Sequence, residues 1–203
     1  MSILLVRHGE TAGNAARVLQ RADVPLNDRG QRQADLLSER LCSLGFAHVL
    51  CSDLPRARMT AAPLLARSGL RVEETALLQE RNFGDLRGTP YEQLLSNPFA
   101  PEFIPPGGES WDAFHDRVAA AFALIAARRR ELHGHLVVVT HGLVCRAILH
   151  RHAQLGHGRN PPERFDNASL TVLDADPPHA TRLINCTEHL TTDLSPTRET
   201  GAA

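Results

Sequence analysis

The sequence predicts an α/β domain whose parallel sheet is covered by helices on both faces, and three observations carry that prediction. Strand-like and helix-like segments alternate along most of the chain. The clearest strands, residues 3–6 and the run in "HLVVVTHG", are continuously apolar, as strands buried on both faces are. Both then deliver the same dipeptide, His8-Gly9 and His141-Gly142, at a carboxyl end, where open α/β sheets bind their ligands.

Residues 3–6 form the first strand. A helix over 28–44 follows, opened by Asn27 or Asp28, with Ala34, Leu37, Leu41 and Leu44 as its apolar stripe and Gly45 at its end. "AHVLCSD" is the second strand, running into Asp53. Pro55 has its φ preset and no amide to lose, so it suits the first turn of a helix reaching Ser68, closed by Gly69 and kinked at Pro63. A third strand falls within 70–78. From 83 to 108, Pro90, Pro98, Pro101, Pro105 and Pro106 interrupt any periodicity, which predicts a surface excursion with one short helix at 91–95. Ser110 caps a helix to about Arg130, and its closing arginines complement the negative helix end without needing a ligand. After "HLVVVTHG" a helix starts at Leu143, and runs at 170–173 and 182–184 supply two more strands. One domain is expected over 1–190, with 191–203 as a disordered polar tail.

A chain of 203 residues can bury about 70% of its unfolded surface, so it needs no staples. Net charge of −1 gives no electrostatic case for nucleic acid or an anionic membrane. All 22 basic residues are arginine. Without lysine, Schiff-base chemistry and a P-loop are excluded. GC-rich coding is the default explanation for that bias, but arginine's planar fork also binds phosphate and carboxylate. Cys42, Cys51, Cys145 and Cys186 have no CxxC spacing, so they are expected as reduced thiols of a cytoplasmic protein. No apolar run is long enough for a leader or a membrane span.

Several blocks, in order, carry a resemblance. "LLVRHGETAGN", "QRADVPLNDRGQRQA", "CSDLPRARMTA", "LQERNFGDLRG", "PPGGES", "VVVTHGLVCRAIL" and "NASLTVL" together resemble the histidine phosphatase superfamily, whose fold is phosphoglycerate mutase-like. The similarity spans about residues 3–190. It implies a three-layer α/β/α sandwich with six mostly parallel strands and no cofactor. It implies His8 as the nucleophile that becomes phosphohistidine. Arg7, an arginine of the "PRARMTA" block and His141 would surround the transferred group, Asn14 would add a neutral donor, and Glu80 would be the general acid. Gln20 and Gly142 join them as expected substrate contacts. The residues alone leave Arg56 and Arg58 competing. The block S-D-L-x-R-A-x-Q-T-A fixes one arginine directly before Ala and four before Thr, which is Arg56.

The chemistry makes sense of these types. A phosphate monoester dianion repels nucleophiles, and two guanidiniums with a His141 imidazolium would offset its charge and stabilise the equatorial oxygens. The same cations would disfavour protonated His8, while a carbonyl on its other ring nitrogen would fix the tautomer. Burial would raise the pKa of Glu80 toward what a general acid needs. The expected partner is a small phosphorylated metabolite, not nucleic acid or membrane; oligomeric state is open.

Three departures from the family blocks stand out. Arg21 replaces a Gly, Arg87 replaces the Glu before Gly88, and Met59 replaces a Gln. The first two either alter the rim and admit an anionic substrate or reflect drift alone. Among rivals, a phosphoglycerate mutase would return the phosphoryl group to substrate, yet the stretch 81–107 is short and holds only Arg81 and Arg87 as cations. A metal hydrolase would draw on His133-x-His135 or His150-x-His152, a weak pattern without HExxH. A binding module would have no use for the acid Glu80. Glu109 receives no role from the sequence.

Overall fold

A computed structural model describes residues 1–156 and 160–195. Its helices and strands run β1 (Ser2–Arg7), α1 (Ala12–Ala15), α2 (Asp28–Leu44), β2 (His48–Ser52), α3 (Pro55–Ser68), β3 (Val72–Thr75), α4 (Trp111–Glu131), β4 (Leu136–Thr140), α5 (Gly142–His152), β5 (Leu170–Asp174) and β6 (Thr181–Cys186). The sheet order is β3-β2-β4-β1-β5-β6. The first four strands are mutually parallel, and β5 and β6 close one side antiparallel.

Alternation along the strands builds the three layers. Ile3, Leu5, Leu50 and Val138 face one core, packed on Phe114, Val118 and Ile125 of α4 and Ile148 of α5. Leu4, Val6, Val49 and Val139 face the other, with Leu37 and Leu41 of α2 and Ala61 and Leu64 of α3. Successive side chains must point to opposite faces, so a continuously apolar strand can only be satisfied by two helical layers. The chain therefore leaves β1 toward the α2 face and β4 toward the α5 face. These two strands are neighbours, and their divergent exits open a crevice at their carboxyl ends.

The element ends refine the sequence reading. Asn27 caps α2, its Oδ1 accepting from Gly30 N at 2.8 Å. Leu44 is not part of the buried stripe; it lies in the last turn and is exposed. α3 continues through Pro63 to Ser68, and Gly69 ends it at φ 69°. The third strand is shorter than expected and passes into a 3₁₀ turn at Ala76–Leu78. The short helix of the excursion is a single 3₁₀ turn, Tyr91–Gln93. α1 was not foreseen: its four residues carry no periodicity, and a reciprocal Thr11–Asn14 capping box forms it. Residues 191–195, expected within the disordered tail, are instead held against the domain. Leu194 is buried in the α2–α3 core, and its carbonyl accepts from Gln33 Nε2 at 2.9 Å. Residues 196–203 lie outside the described residues. So do 157–159.

Candidate active site

His8 follows the last residue of β1, its amide donating to Thr140 O at 2.9 Å, so β4 sets its height at the crevice. The residue is 2% exposed. Nδ1 lies 2.7 Å from Gly9 O; as donor there, it leaves Nε2 with the lone pair. Burial first, then the charges of Arg56 and Arg7, hold His8 well below the usual imidazole range, so the ring is neutral. The turn after it needs close backbone approach. A Cβ on Gly30 would sit 2.0 Å from Glu10 O, and one on Gly9 2.6 Å from Gly30 O, so the His8 loop lies directly on the first turn of α2. Gly9 N also donates to Thr60 Oγ1 at 3.0 Å, and Thr60 Oγ1 to Arg56 O at 2.7 Å, which ties the loop to α3.

A cavity of about 550 Å³ opens over this point, lined by Arg7, His8, Asn14, Gln20, Arg56, Glu80 and Gly142 among others. Seven of the eight expected site residues thus share one wall. His141, the eighth, is fully buried beside His8, its ring centroid 5.1 Å away, and does not itself line the cavity. Its Nε2 pairs with Ser52 Oγ at 2.9 Å, and its Nδ1 is buried without a partner. The expected imidazolium is not what this site favours. Burial, then Arg56, His8 and Arg7, push His141 well below the usual range, so it is neutral before any anion enters.

The arginines divide cleanly. Arg56 is 2% exposed, donates from Nη1 to the carbonyls of Arg21 and Ala22 (3.2 and 3.3 Å), and keeps a buried Nε unpaired. Burial lowers its pKa to about 10, which leaves it charged at neutral pH. Arg58 points outward to Glu74. Arg7 donates to Phe165 O, and its buried Nε is unpaired. Asn14 Oδ1 accepts from Thr11 N and Asn167 Nδ2, so its amide nitrogen is the group left to donate. Gln20 Oε1 accepts from Thr11 Oγ1 at 2.8 Å.

Glu80 accepts from Arg81 N (3.1 Å) and from Leu143 N in the first turn of α5 (3.2 Å). Burial nonetheless outweighs these contacts and raises its pKa. Its segment is gripped by a pair that sequence reasoning left without a role. Arg117 of α4 makes a bidentate bridge to Glu109, 2.8 Å at both nitrogens, and its Nη1 donates to the carbonyls of Leu77 and Gln79 just before Glu80. Glu109 Oε2 accepts from Asn82 N just after it. Ser52, Thr60, Glu109 and Arg117 were all missed as site residues. Ser52, Thr60 and Glu109 at least stand within the quoted blocks, whereas Arg117 lies outside all of them and nothing in the sequence marked it. Among the described residues, no three His, Cys, Asp or Glu side chains converge as metal ligands, and no helix is long and apolar enough to cross a membrane.

Comparison with known proteins places this geometry. A phosphoglycerate mutase-like protein of Arabidopsis thaliana is 39% identical over 164 residues, covering 73% of this chain and 70% of that one. The α-ribazole phosphatase of Shigella flexneri superimposes with a TM-score of 0.77 at 27% identity, covering 92% of this chain and 96% of that one. A mycobacterial glucosyl-3-phosphoglycerate phosphatase, solved with VO3, gives 0.72 at 27% identity, over 85% and 92%. The histidine phosphatase superfamily (branch 1) model matches residues 3–186, from the start of the β1 core to the last residue of β6. The chain belongs to that superfamily.

Proposed function

We propose that this enzyme hydrolyses a small phosphate monoester through a phosphohistidine at His8, without a metal. The observation that carries the reading is the neutral His8 ring, fixed by Gly9 O so that Nε2 is the nucleophile, beside two buried guanidiniums with unpaired Nε groups. In the first step His8 Nε2 attacks phosphorus and the ester P–O bond breaks. Arg7, Arg56 and the Asn14 amide receive the equatorial oxygens. If Ser52 Oγ–H donates to His141 Nε2, the proton sits on Nδ1, and this otherwise orphaned group becomes a further donor. Glu80, whose pKa burial raises, gives its proton to the departing alkoxide. In the second step Glu80 takes a proton from water, which attacks the phosphohistidine and releases phosphate. The phosphatase names of the Shigella and mycobacterial neighbours support hydrolysis.

The name of the Arabidopsis relative favours a second reading, return of the phosphoryl group to a substrate hydroxyl. Free phosphate rather than isomerised phosphoglycerate as product decides for hydrolysis.

The acid is tested by leaving group. An alkoxide needs protonation as it departs, whereas p-nitrophenolate needs little. Glu80→Gln should slow single-turnover phosphorylation by an alkyl phosphate about 10²–10⁴-fold and by p-nitrophenyl phosphate far less. Equal slowing of both would assign Glu80 to positioning instead.

A further inference from the structure

The cavity holds more positive charge than one phosphate ester uses. Among the described residues, seven arginines and two glutamates line it. Arg7 and Arg56 flank His8. Arg81, fully buried, donates to the carbonyls of Pro98, Phe103 and Glu109 and stacks 3.9 Å over Trp111, so it braces the excursion rather than a ligand. Arg17 makes an interaction of its own.

Arg87, Arg146 and Arg164 remain. None of their guanidiniums has a hydrogen bond or ion pair among the described residues. They reach the wall from three separate segments. Arg87 ends the 3₁₀ turn Gly84–Leu86, Arg146 lies one helical turn beyond Gly142 on α5, and Arg164 precedes Phe165, whose carbonyl holds Arg7. Arg87 is partly buried, and its nearest named carboxylate influence, Glu109, is committed to Arg117. It lies near enough to Arg56 for repulsion to act on that guanidinium. The adjacent Gly88 supports Arg21, whose Nε would be 3.2 Å from a Cβ there. Among the described residues, the only acidic side chain of the wall besides Glu80 is exposed Glu163. Arg146 and Arg164 are exposed and Arg87 is partly buried, and three unpaired cations beside one carboxylate give this wall a positive field that an anionic group would complement. The departure of Arg87 from the family's glutamate adds positive charge at this spot.

We propose that Arg87, Arg146 and Arg164 form a second anion subsite, and that the substrate is a small phosphate monoester bearing a further phosphate or carboxylate group. The substrate class rests on the phosphatase reading; the subsite does not.

The test is therefore a binding measurement without turnover. Calorimetry compares propylphosphonate, 4-phosphonobutyrate and propane-1,3-bisphosphonate in wild type and in the Arg87→Gln/Arg146→Gln/Arg164→Gln variant. The doubly anionic ligands should bind at least about 10-fold more tightly than propylphosphonate to wild type, through charge-assisted hydrogen bonds. The advantage should shrink toward one in the variant. Preference for the bisphosphonate assigns phosphate, and preference for the phosphonobutyrate assigns carboxylate. Equal wild-type affinities, no binding, or an undiminished ratio in the variant overturns the subsite. The ratio within each protein is its own reference. A ratio of one in an active phosphatase rejects the subsite alone. A clear ratio in a protein that turns over no ester rejects the phosphatase reading alone.

Discussion

At the scale of single residues, the account depends on where charge and protons sit. Burial together with Arg56 and Arg7 keeps His8 neutral, so His8 loses activity only as pH falls through its lowered pKa. Removing the Arg56 charge makes imidazolium easier to form and raises that pKa. Arg56→Ala should therefore move the acid limb of kcat/KM to higher pH, besides costing on the order of 2–4 kcal/mol of transition-state stabilisation. Arg58→Ala breaks only an exposed pair with Glu74 and should change the rate little. An unmoved acid limb in Arg56→Ala, or the larger effect in Arg58→Ala, would count against the assignment. The choice between these arginines was legible only through block register. Both stand in the same basic stretch, and it is the helix phase of α3 that buries one and exposes the other. The protonation of His141 was not legible, because it depends on burial by segments far apart in the chain.

At the scale of elements, Glu80, the proposed general acid, sits on irregular backbone between the 3₁₀ turns Ala76–Leu78 and Gly84–Leu86. Such a segment has no ladder of its own, so side chains from elsewhere must fix it. Thr140 Oγ1 holds Leu78 O at 2.7 Å, and the Arg117–Glu109 bridge holds Leu77, Gln79 and Asn82. Glu109→Gln leaves Arg117 without its charged partner and should cost about 1–3 kcal/mol of stability. Its kinetic signature should be that of a displaced acid: alkyl phosphates slowed more than p-nitrophenyl phosphate in the phosphorylation step. A uniform loss over both esters, tracking lost folded protein, would reduce the bridge to a structural brace. Helices and buried strands were readable because periodicity, caps and Gly69 report them locally. The excursion and α1 were not, since tertiary hydrogen bonds, not pattern, shape them.

At the scale of the whole molecule, the crossing of the chain from one face of the sheet to the other brings His8 and His141 together. β1 and β4 lie side by side, their exits go to opposite helical layers, and His8 and His141 end up 5.1 Å apart at ring centroids. The two His-Gly strand ends announced that meeting in the sequence, whereas the antiparallel β5–β6 edge and the docking of Leu194 follow from packing. Everything in the mechanism passes through one covalent species on His8. The direct measurement is to quench enzyme with radiolabelled substrate within a single turnover and locate the label. The account predicts one acid-labile, base-stable phosphoryl group per chain, on His8 Nε2, formed and lost fast enough to support steady-state hydrolysis. A chain that turns over with no label at His8, or a His8→Ala variant that keeps near-normal activity, would contradict it.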